Sequence, residues 1–362
     1  MLIIFIDALP SSKKFKIENL KTAKLAPNLG YSVNLHNEIF NGKTPDQMGF
    51  FGEYLFCENP TFFKKLIFNI LNLIEFAPFK LNYLFKIFLR RFFKIKIGQI
   101  PFKLVPYFKR EGKYPFINEC PSILDKFKKF VTDDLKTGLG KRDNIAIHNV
   151  LNYLKKQKSK KNIFVSLCDL DGIGHKYGTD SNEYSERLDF LKIKCELIIE
   201  QYSLQFPEKP VIVLSDHGMS NVKHFIDPKN TIAKLQKEFN AKCFYDSLYL
   251  QVYIKENNQS NNLLKIKELI SKELPVHIFN EHERMKYGIT NTNFGSVICL
   301  LNNNLAFSPH LFGYIKMKAY HGYLPNNDDN HGIFLSVNIN QNNIPKVIRS
   351  LDVHELIANL SS

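Results

Sequence analysis

Six short apolar runs punctuate the chain: Leu2 to Ile6, Asn162 to Leu167, Pro210 to Leu214, Leu248 to Ile254, Ser296 to Leu301 and Gly332 to Val337. Each has the length of a strand, and their β-branched and aromatic content predicts strands buried on both faces. Between the second and third, Leu188, Phe190, Leu191, Cys195, Ile198 and Ile199 recur near helical spacing, so residues Asn182 to Gln205 predict a helix. Asp143 to Lys156 predicts a second amphipathic helix. Strand and helix patterns therefore alternate, as they do in an α/β fold with a mostly parallel central sheet and helices on both faces.

One stretch breaks this rhythm. From Thr61 to Arg110 the chain holds eleven lysines and arginines against one acidic residue, Glu75, together with eleven of its 31 phenylalanines, and it is interrupted by Pro78, Pro101 and Pro106. It predicts helices outside the sheet, and residues 111–160 predict a helical return. The expected organisation is a catalytic domain of residues 1–56 and 161–362, with residues 57–160 inserted as a mainly helical cap or interfacial segment. The segment carries much of the formal charge of +14. Lys64, Lys65, Lys80, Lys86, Arg90, Arg91, Lys94 and Lys96 punctuate its apolar runs too often for a membrane span. They suit either a solvated lid or weak peripheral contact with an anionic membrane.

The remaining composition narrows the setting. Six cysteines lie scattered without a C-x-x-C pair, which predicts reduced thiols instead of a disulfide framework or zinc ribbon. The apolar run at the start is short, lacks a preceding basic region and ends in Asp7, so it predicts a strand and not a secretory signal. No stretch approaches the ~18 uncharged residues of a membrane span. The expectation is a cytoplasmic protein, peripheral to the membrane if the basic segment is interfacial. Aromatic and basic interleaving can also build a nucleic-acid groove, but no specific nucleic-acid reader motif is present.

Chemistry is concentrated just after predicted strands. Asp7 ends the first. Asp171 and His175 follow the second, and Asp216 and His217 follow the third in Leu214-Ser-Asp-His-Gly-Met219. His321 precedes the last strand. Singly, a strand-end aspartate is commonly a turn residue and a lone histidine a packed one. Together they can converge, because open α/β sheets gather ligands outside the carboxyl ends of their strands. Mixed carboxylate and imidazole donors suit zinc and related first-row ions, whereas magnesium prefers oxygen ligands and water.

The ordered set Asp7, Asp171-x-x-x-His175, Ser215-Asp-His-Gly-Met219 and His321-Gly-Tyr323 resembles the alkaline-phosphatase superfamily, in particular its type I phosphodiesterase/nucleotide pyrophosphatase branch. Asn41-Gly-Lys-Thr-Pro-Asp-Gln-Met-Gly49 is similar to that branch's T-G-x-x-P-x-x-H-G turn. The matching motifs run from residue 2 to about residue 335, and only the stretch from about 57 to 160 carries none. The resemblance implies an alkaline-phosphatase-like fold and two divalent metal ions, zinc in the first instance and manganese as the alternative. It implies Asp171, His175 and His321 as ligands of one ion. It implies Asp7, Asp216 and His217 as ligands of the other, with a serine or threonine nucleophile. The family's nucleophile lies ten residues before the glycine of its turn, here Gly42, and that count falls on Ser32, with Thr44 the nearest rival. His36 is left outside the expected ligand set, as a residue that could orient the nucleophile loop. His331 reads as a loop residue near the pocket, and Asp169 as a residue facing a helix.

Two positions depart from the branch's pattern: Glu53 stands at or beside the place of its phosphoryl-binding asparagine, and Met48 replaces the histidine of P-x-x-H-G. The expected function is a two-metal phosphoric ester hydrolase acting through a phospho-serine on a phosphate-ester substrate, most like a phosphodiesterase. The alternatives are a phosphomonoesterase or a phosphoryl-group transferase acting on a glycan or lipid-linked substrate, and, outside enzymes, a basic membrane- or nucleic-acid-binding protein. A sulfatase is disfavoured by the absence of a C/S-x-P-S-R motif.

Overall fold

A computed structural model describes residues 1–56, 60–71, 102–110, 112–132, 139–156, 162–254, 259–311, 315–340 and 344–361. The chain forms two compact units, Met1–Thr44 with Lys113–Val222 and Met317–Ser362, and Pro45–Gly112 with Lys223–Lys316. These boundaries differ from the expected ones. Residues 113–160 join the first unit because a strand and a helix within them pack onto its sheet, and residues 223–316 join the second because they build a sheet of their own.

The first unit is an α/β sandwich. The seven strands of its central sheet are β1 (Leu2–Ile6), β2 (Lys21–Ala26), β3 (Phe127–Phe130), β4 (Asn162–Leu167), β5 (Val211–Leu214), β6 (Gly332–Val337) and β7 (Val347–Arg349). They lie in the order β7-β2-β6-β5-β1-β4-β3. Only β6 runs against the rest, pairing antiparallel with β5 and β2, while the other neighbours pair in parallel. Leu2 stands opposite Ile163 on one side and Val211 on the other.

The central strands are mostly apolar because both faces are covered, Ser166 and Ser336 being buried exceptions. Leu2, Ile4, Ile6, Val165, Leu167 and Val213 point to helices α2 (Arg142–Lys156), α3 (Asp169–Tyr177) and α4 (Asn182–Ser203), where Val150, Leu170 and Leu191 meet them. Ile3, Phe5, Phe164, Ile212 and Phe334 point the other way, to α1 (Ser32–Asn41) and α5 (Ser350–Ser361). Helix α1 ends at Gly42, whose left-handed backbone (φ 64°) and close approach to the His354 ring leave no room for a side chain.

Between α1 and α5 lies a buried carboxyl. Glu38 accepts hydrogen bonds from Ser350 Oγ (2.5 Å) and Asn28 Nδ2 (2.7 Å), yet burial still pushes its pKa up to about 7. A raised folded-state pKa contributes stability at acid pH that is lost as pH rises through about 7. Glu38→Gln should therefore raise the melting temperature at pH 8 and change it little at pH 5, which thermal unfolding at the two pH values checks.

The second unit carries a four-stranded antiparallel sheet in the order Lys242–Tyr245, Tyr249–Tyr253, Val297–Leu301, Val276–Ile278. Two runs expected in the central sheet, Leu248 to Ile254 and Ser296 to Leu301, are strands of this one. A buried apolar run announces a strand but not its partners. Helices Lys229–Phe239 and Gln259–Glu273 supply Ile232, Leu235, Ile266 and Ile270 to its core. A strand pair, Tyr54–Phe56 with Phe108–Arg110, belongs to an aromatic cluster of Phe56, Phe108, Phe244 and Tyr107. The helix Phe62–Leu71 exposes Leu66, Ile67 and Ile70. Lys80, Lys86, Arg90, Arg91, Lys94 and Lys96 of the basic segment lie outside the described residues. Among the described residues, no helix is long and apolar enough to cross a membrane.

Candidate active site

Strands β5, β1 and β4 are parallel neighbours, so the residues that follow them leave the same edge of the sheet. Asp7 follows β1, and its backbone N–H donates to the Leu167 carbonyl at the end of β4 (2.9 Å). Ser215, Asp216 and His217 follow β5. Helix α3 follows β4 and carries Asp171 and His175 one turn apart on one face. Because β6 is antiparallel, the chain leading into it also sits at this edge. His321 follows the short strand Ala319–Tyr320, which pairs with Ser220–Asn221.

The turns at this edge are tightly held. Ala8 adopts a left-handed backbone (φ 61°) and its carbonyl accepts from the Tyr184 hydroxyl (2.9 Å). The buried Ser215 Oγ accepts from Leu9 N (2.9 Å) and donates to the His217 carbonyl (2.8 Å), tying the Asp7 turn to the Asp216–His217 turn. Gly218 follows because a Cβ there would strike the Asp329 carbonyl.

Two groups of ligand atoms result. Asp171, His175 and His321 form the first, with His175 Nε2 3.2 Å and His321 Nε2 3.5 Å from Asp171 Oδ1. Asp7, His36 and Asp216 form the second, where His36 Nε2 lies 3.0 Å from Asp216 Oδ2. His217 Nε2 stands beside this second group, 3.2 Å from Asp216 Oδ2, 3.5 Å from Asp7 Oδ1 and 3.1 Å from Ser32 Oγ. Its ring stacks on that of His321, centroids 3.9 Å apart. All seven expected site residues thus gather at one edge of one unit, and His36, set aside on sequence, joins them. Its only sequence signal is the four-residue spacing from Ser32, which puts both on one face of α1.

Two imidazoles are oriented by the backbone. His175 Nδ1–H donates to the Ala319 carbonyl (2.8 Å) and His217 Nδ1–H to the Gly218 carbonyl (2.8 Å), so each ring is turned with Nε2 toward the site, the atom that the neutral imidazole would offer a metal. Of the carboxylates facing them, Asp216 is buried and Asp7 and Asp171 are half-buried. Asp7 Oδ1, Asp171 Oδ1 and both Asp216 oxygens receive no well-formed hydrogen bond among the described residues. Burial, and then the charges of Asp216 and Asp171, hold the Asp7 carboxyl well above the usual carboxylate range. Burial acts the same way on Asp171, but His175, His321 and His217 outweigh it and lower its pKa. Burial and the neighbouring His217 push His321 down. Such a set is costly for a protein to bury by itself, and its mixed carboxylate and imidazole donors have the chemistry to hold divalent cations.

Ser32 occupies the first turn of α1, where the helix dipole favours an anion. Thr44 lies beyond the other end of that ten-residue helix, a span of about 15 Å. His331 is held in its loop, with Nε2 3.2 Å from the Pro325 carbonyl. Asp169 points away from the ligand groups. It accepts from Arg142 Nε (2.9 Å) and Arg187 Nη2 (3.0 Å), while Asp143 accepts from Arg187 (2.6 Å) and from the Cys168 and Asp169 amides that open α3. This knot anchors the helix bearing Asp171 and His175. Arg187→Met would leave two buried carboxylates sharing Arg142, a loss of about 3–5 kcal/mol for a broken buried pair. Urea unfolding should show a midpoint lowered by that free energy divided by the slope, with the slope unchanged.

The profile of the type I phosphodiesterase / nucleotide pyrophosphatase family matches residues 106–308, more than half of the chain. The chain belongs to that family. This phosphodiesterase-family protein is a hydrolase acting on phosphoric ester bonds. No curated protein matches it in sequence. Its fold is similar to that of murine ectonucleotide pyrophosphatase / phosphodiesterase 5, at a TM-score of 0.64 and 14% identity over 100% of this chain and 94% of that one. The human counterpart matches at 0.63 with the same identity and coverage. So does an inactive form of the murine protein in complex with AMP, at 0.63 and 14% over 100% and 94%. Glu53 and Met48 belong to the second unit, Met48 as the last residue of the short helix Pro45–Met48.

Proposed function

We propose that the protein is a two-metal phosphodiesterase or nucleotide pyrophosphatase that works through a phosphorylated Ser32. The observation that carries this reading is the buried convergence of three carboxylates and the imidazoles of His175, His217 and His321 around one serine, with carboxylate oxygens that receive no well-formed hydrogen bond. Asp171, His175 and His321 would hold one ion; Asp7, Asp216 and His217, with Ser32 Oγ, would hold the other. The donor chemistry favours zinc, with manganese as the alternative. When bound, such ions lower the pKa of a coordinated hydroxyl and neutralise charge on the transferring phosphoryl group.

The chain supplies the rest. Ser32 Oγ forms a bond to phosphorus as the ester or anhydride oxygen of the leaving group departs with the bonding pair. Water then attacks the phospho-serine, releasing the phosphorylated product and restoring Ser32. Its place in the first turn of α1 lets the amide end of the helix stabilise the transferring group. The carbonyls of Ala319 and Gly218 keep His175 and His217 in the tautomers that ligation requires. The structural relative carrying AMP supports a nucleotide-containing substrate.

The test is hydrolysis by zinc- or manganese-loaded protein of bis(p-nitrophenyl) phosphate, p-nitrophenyl phosphate and p-nitrophenyl thymidine monophosphate. Faster turnover of the nucleotide diester than of the monoester is expected. A preference for the monoester would replace this reading with that of a phosphomonoesterase, and inactivity on all three, with no metal bound, would defeat it.

A further inference from the structure

We infer that His36 is a positioning residue for Asp216, coupling the orientation of that carboxylate to the helix that carries the nucleophile. The inference rests on the two-metal reading above and assigns a role to a residue outside its ligand set.

Ser32 and His36 lie one turn apart on α1, so their side chains leave the same face. Their partners are consecutive residues: Ser32 Oγ is 3.1 Å from His217 Nε2, and His36 Nε2 is 3.0 Å from Asp216 Oδ2. One helical turn therefore touches both members of the Asp216–His217 pair. The His36 ring is 1% exposed and packed against aromatic neighbours. Phe5 meets it edge-on at 5.1 Å, and Tyr114 is tilted over it at 5.9 Å. Phe5 lies two residues before Asp7, so the ring is wedged between the strand that delivers one carboxylate and the turn that delivers the other.

A core position lined by Phe5 and Tyr114 would accept an aromatic hydrocarbon at lower cost than an imidazole, unless the imidazole's nitrogen is used. A partner within reach is Asp216, fully buried itself. Nε2 faces Oδ2 at 3.0 Å without the alignment of a full hydrogen bond, and a proton carried there would let His36 steer Oδ2 and leave Oδ1 to the second ligand group. Ligand carboxylates oriented by an imidazole or another polar neighbour are the usual outer layer of metal sites, and losing that layer typically costs about 10- to 100-fold in metal affinity. Direct ligation by His36 is the competing use of the same nitrogen. It differs in what a substitute side chain must do, since an amide donor can replace an N–H but replaces a ligating imidazole poorly.

The test compares wild-type protein with His36→Gln, which keeps an N–H donor near the place of Nε2, and His36→Phe, which keeps the ring and loses the donor. Zinc affinity is measured by equilibrium dialysis in zinc buffers with elemental analysis, and folding by the melting temperature of the metal-free forms. The expected result is that His36→Phe binds one of two ions about 10- to 100-fold more weakly, the other ion unchanged, while His36→Gln recovers most of the loss. Equal binding of both ions by wild type and His36→Phe overturns the inference. So does a Gln variant as weak as Phe, which would make His36 a ligand, and so does an equal weakening of both ions that follows a lowered metal-free melting temperature. Wild-type protein that binds no ion overturns the two-metal reading as well, so the two failures are told apart.

Discussion

Ser32→Ala should lower turnover by on the order of 10³-fold or more while the protein still binds two metal ions, because the substitution deletes the attacking atom and leaves three protein ligands in each group. The substitution is clean for local reasons. Ser32 is a helical residue and not the N-cap, a position held by Tyr31, and alanine is the strongest helix former. A fall in activity therefore cannot be traded against unfolding of α1. Thr44, the alternative by sequence count, is separated from His217 by the whole of that helix, so Thr44→Ala should leave turnover within a few-fold. Steady-state kinetics and elemental analysis on the same preparations decide the matter. Near-normal turnover in Ser32→Ala with loss in Thr44→Ala would move the nucleophile and break the proposed mechanism.

What was legible in the sequence follows from burial. Strands β1, β4 and β6 have the bounds their apolar runs predict, since both faces of the sheet are covered and most positions are apolar. Strand β2, Lys-Thr-Ala-Lys-Leu-Ala, was not legible because Lys21 and Thr22 are exposed and only Ala23 and Leu25 are buried. Strand β3, Phe-Lys-Lys-Phe, and β7, Val-Ile-Arg, are edge strands too short to show a period. The division into units was illegible for another reason: Leu248 to Ile254 and Gly332 to Val337 look alike as runs, and pairing alone separates them. Residues as distant as Asp7 and His321 could be grouped because each adjoins a strand end. His36 could not, since a single histidine in a helix of mixed polarity does not differ from any packed histidine until the fold sets Asp216 beside it.

Removing one carboxylate from the site should have opposite effects with and without metal, and Asp7→Asn is the substitution to show it. In the metal-free protein Asp7 carries the raised pKa of a buried acid facing Asp216 and Asp171. A group whose folded pKa is raised makes its full contribution only at acid pH, so at pH 8, where the unfolded chain ionises this carboxyl freely, Asp7 opposes folding, and at acid pH it does not. Asparagine keeps the shape and deletes the charge. The metal-free variant should then melt above metal-free wild type at pH 8, with the gap closing as pH falls. Zinc reverses the order. An ion at about 1,000 times its dissociation constant adds about 4 kcal/mol to the folded state, and the variant forgoes that gain at one of its two sites. Turnover should be lost with it, since Ser32 and Asp7 would serve the same ion. Thermal melts in chelator and in zinc, each at pH 5 and pH 8, measure all four states. If Asp7→Asn melts below wild type in chelator at pH 8 and gains as much from zinc, Asp7 is a structural strand-end residue. The second ion would then rest on Asp216 with the two imidazoles, His36 and His217, that lie within 3.2 Å of it.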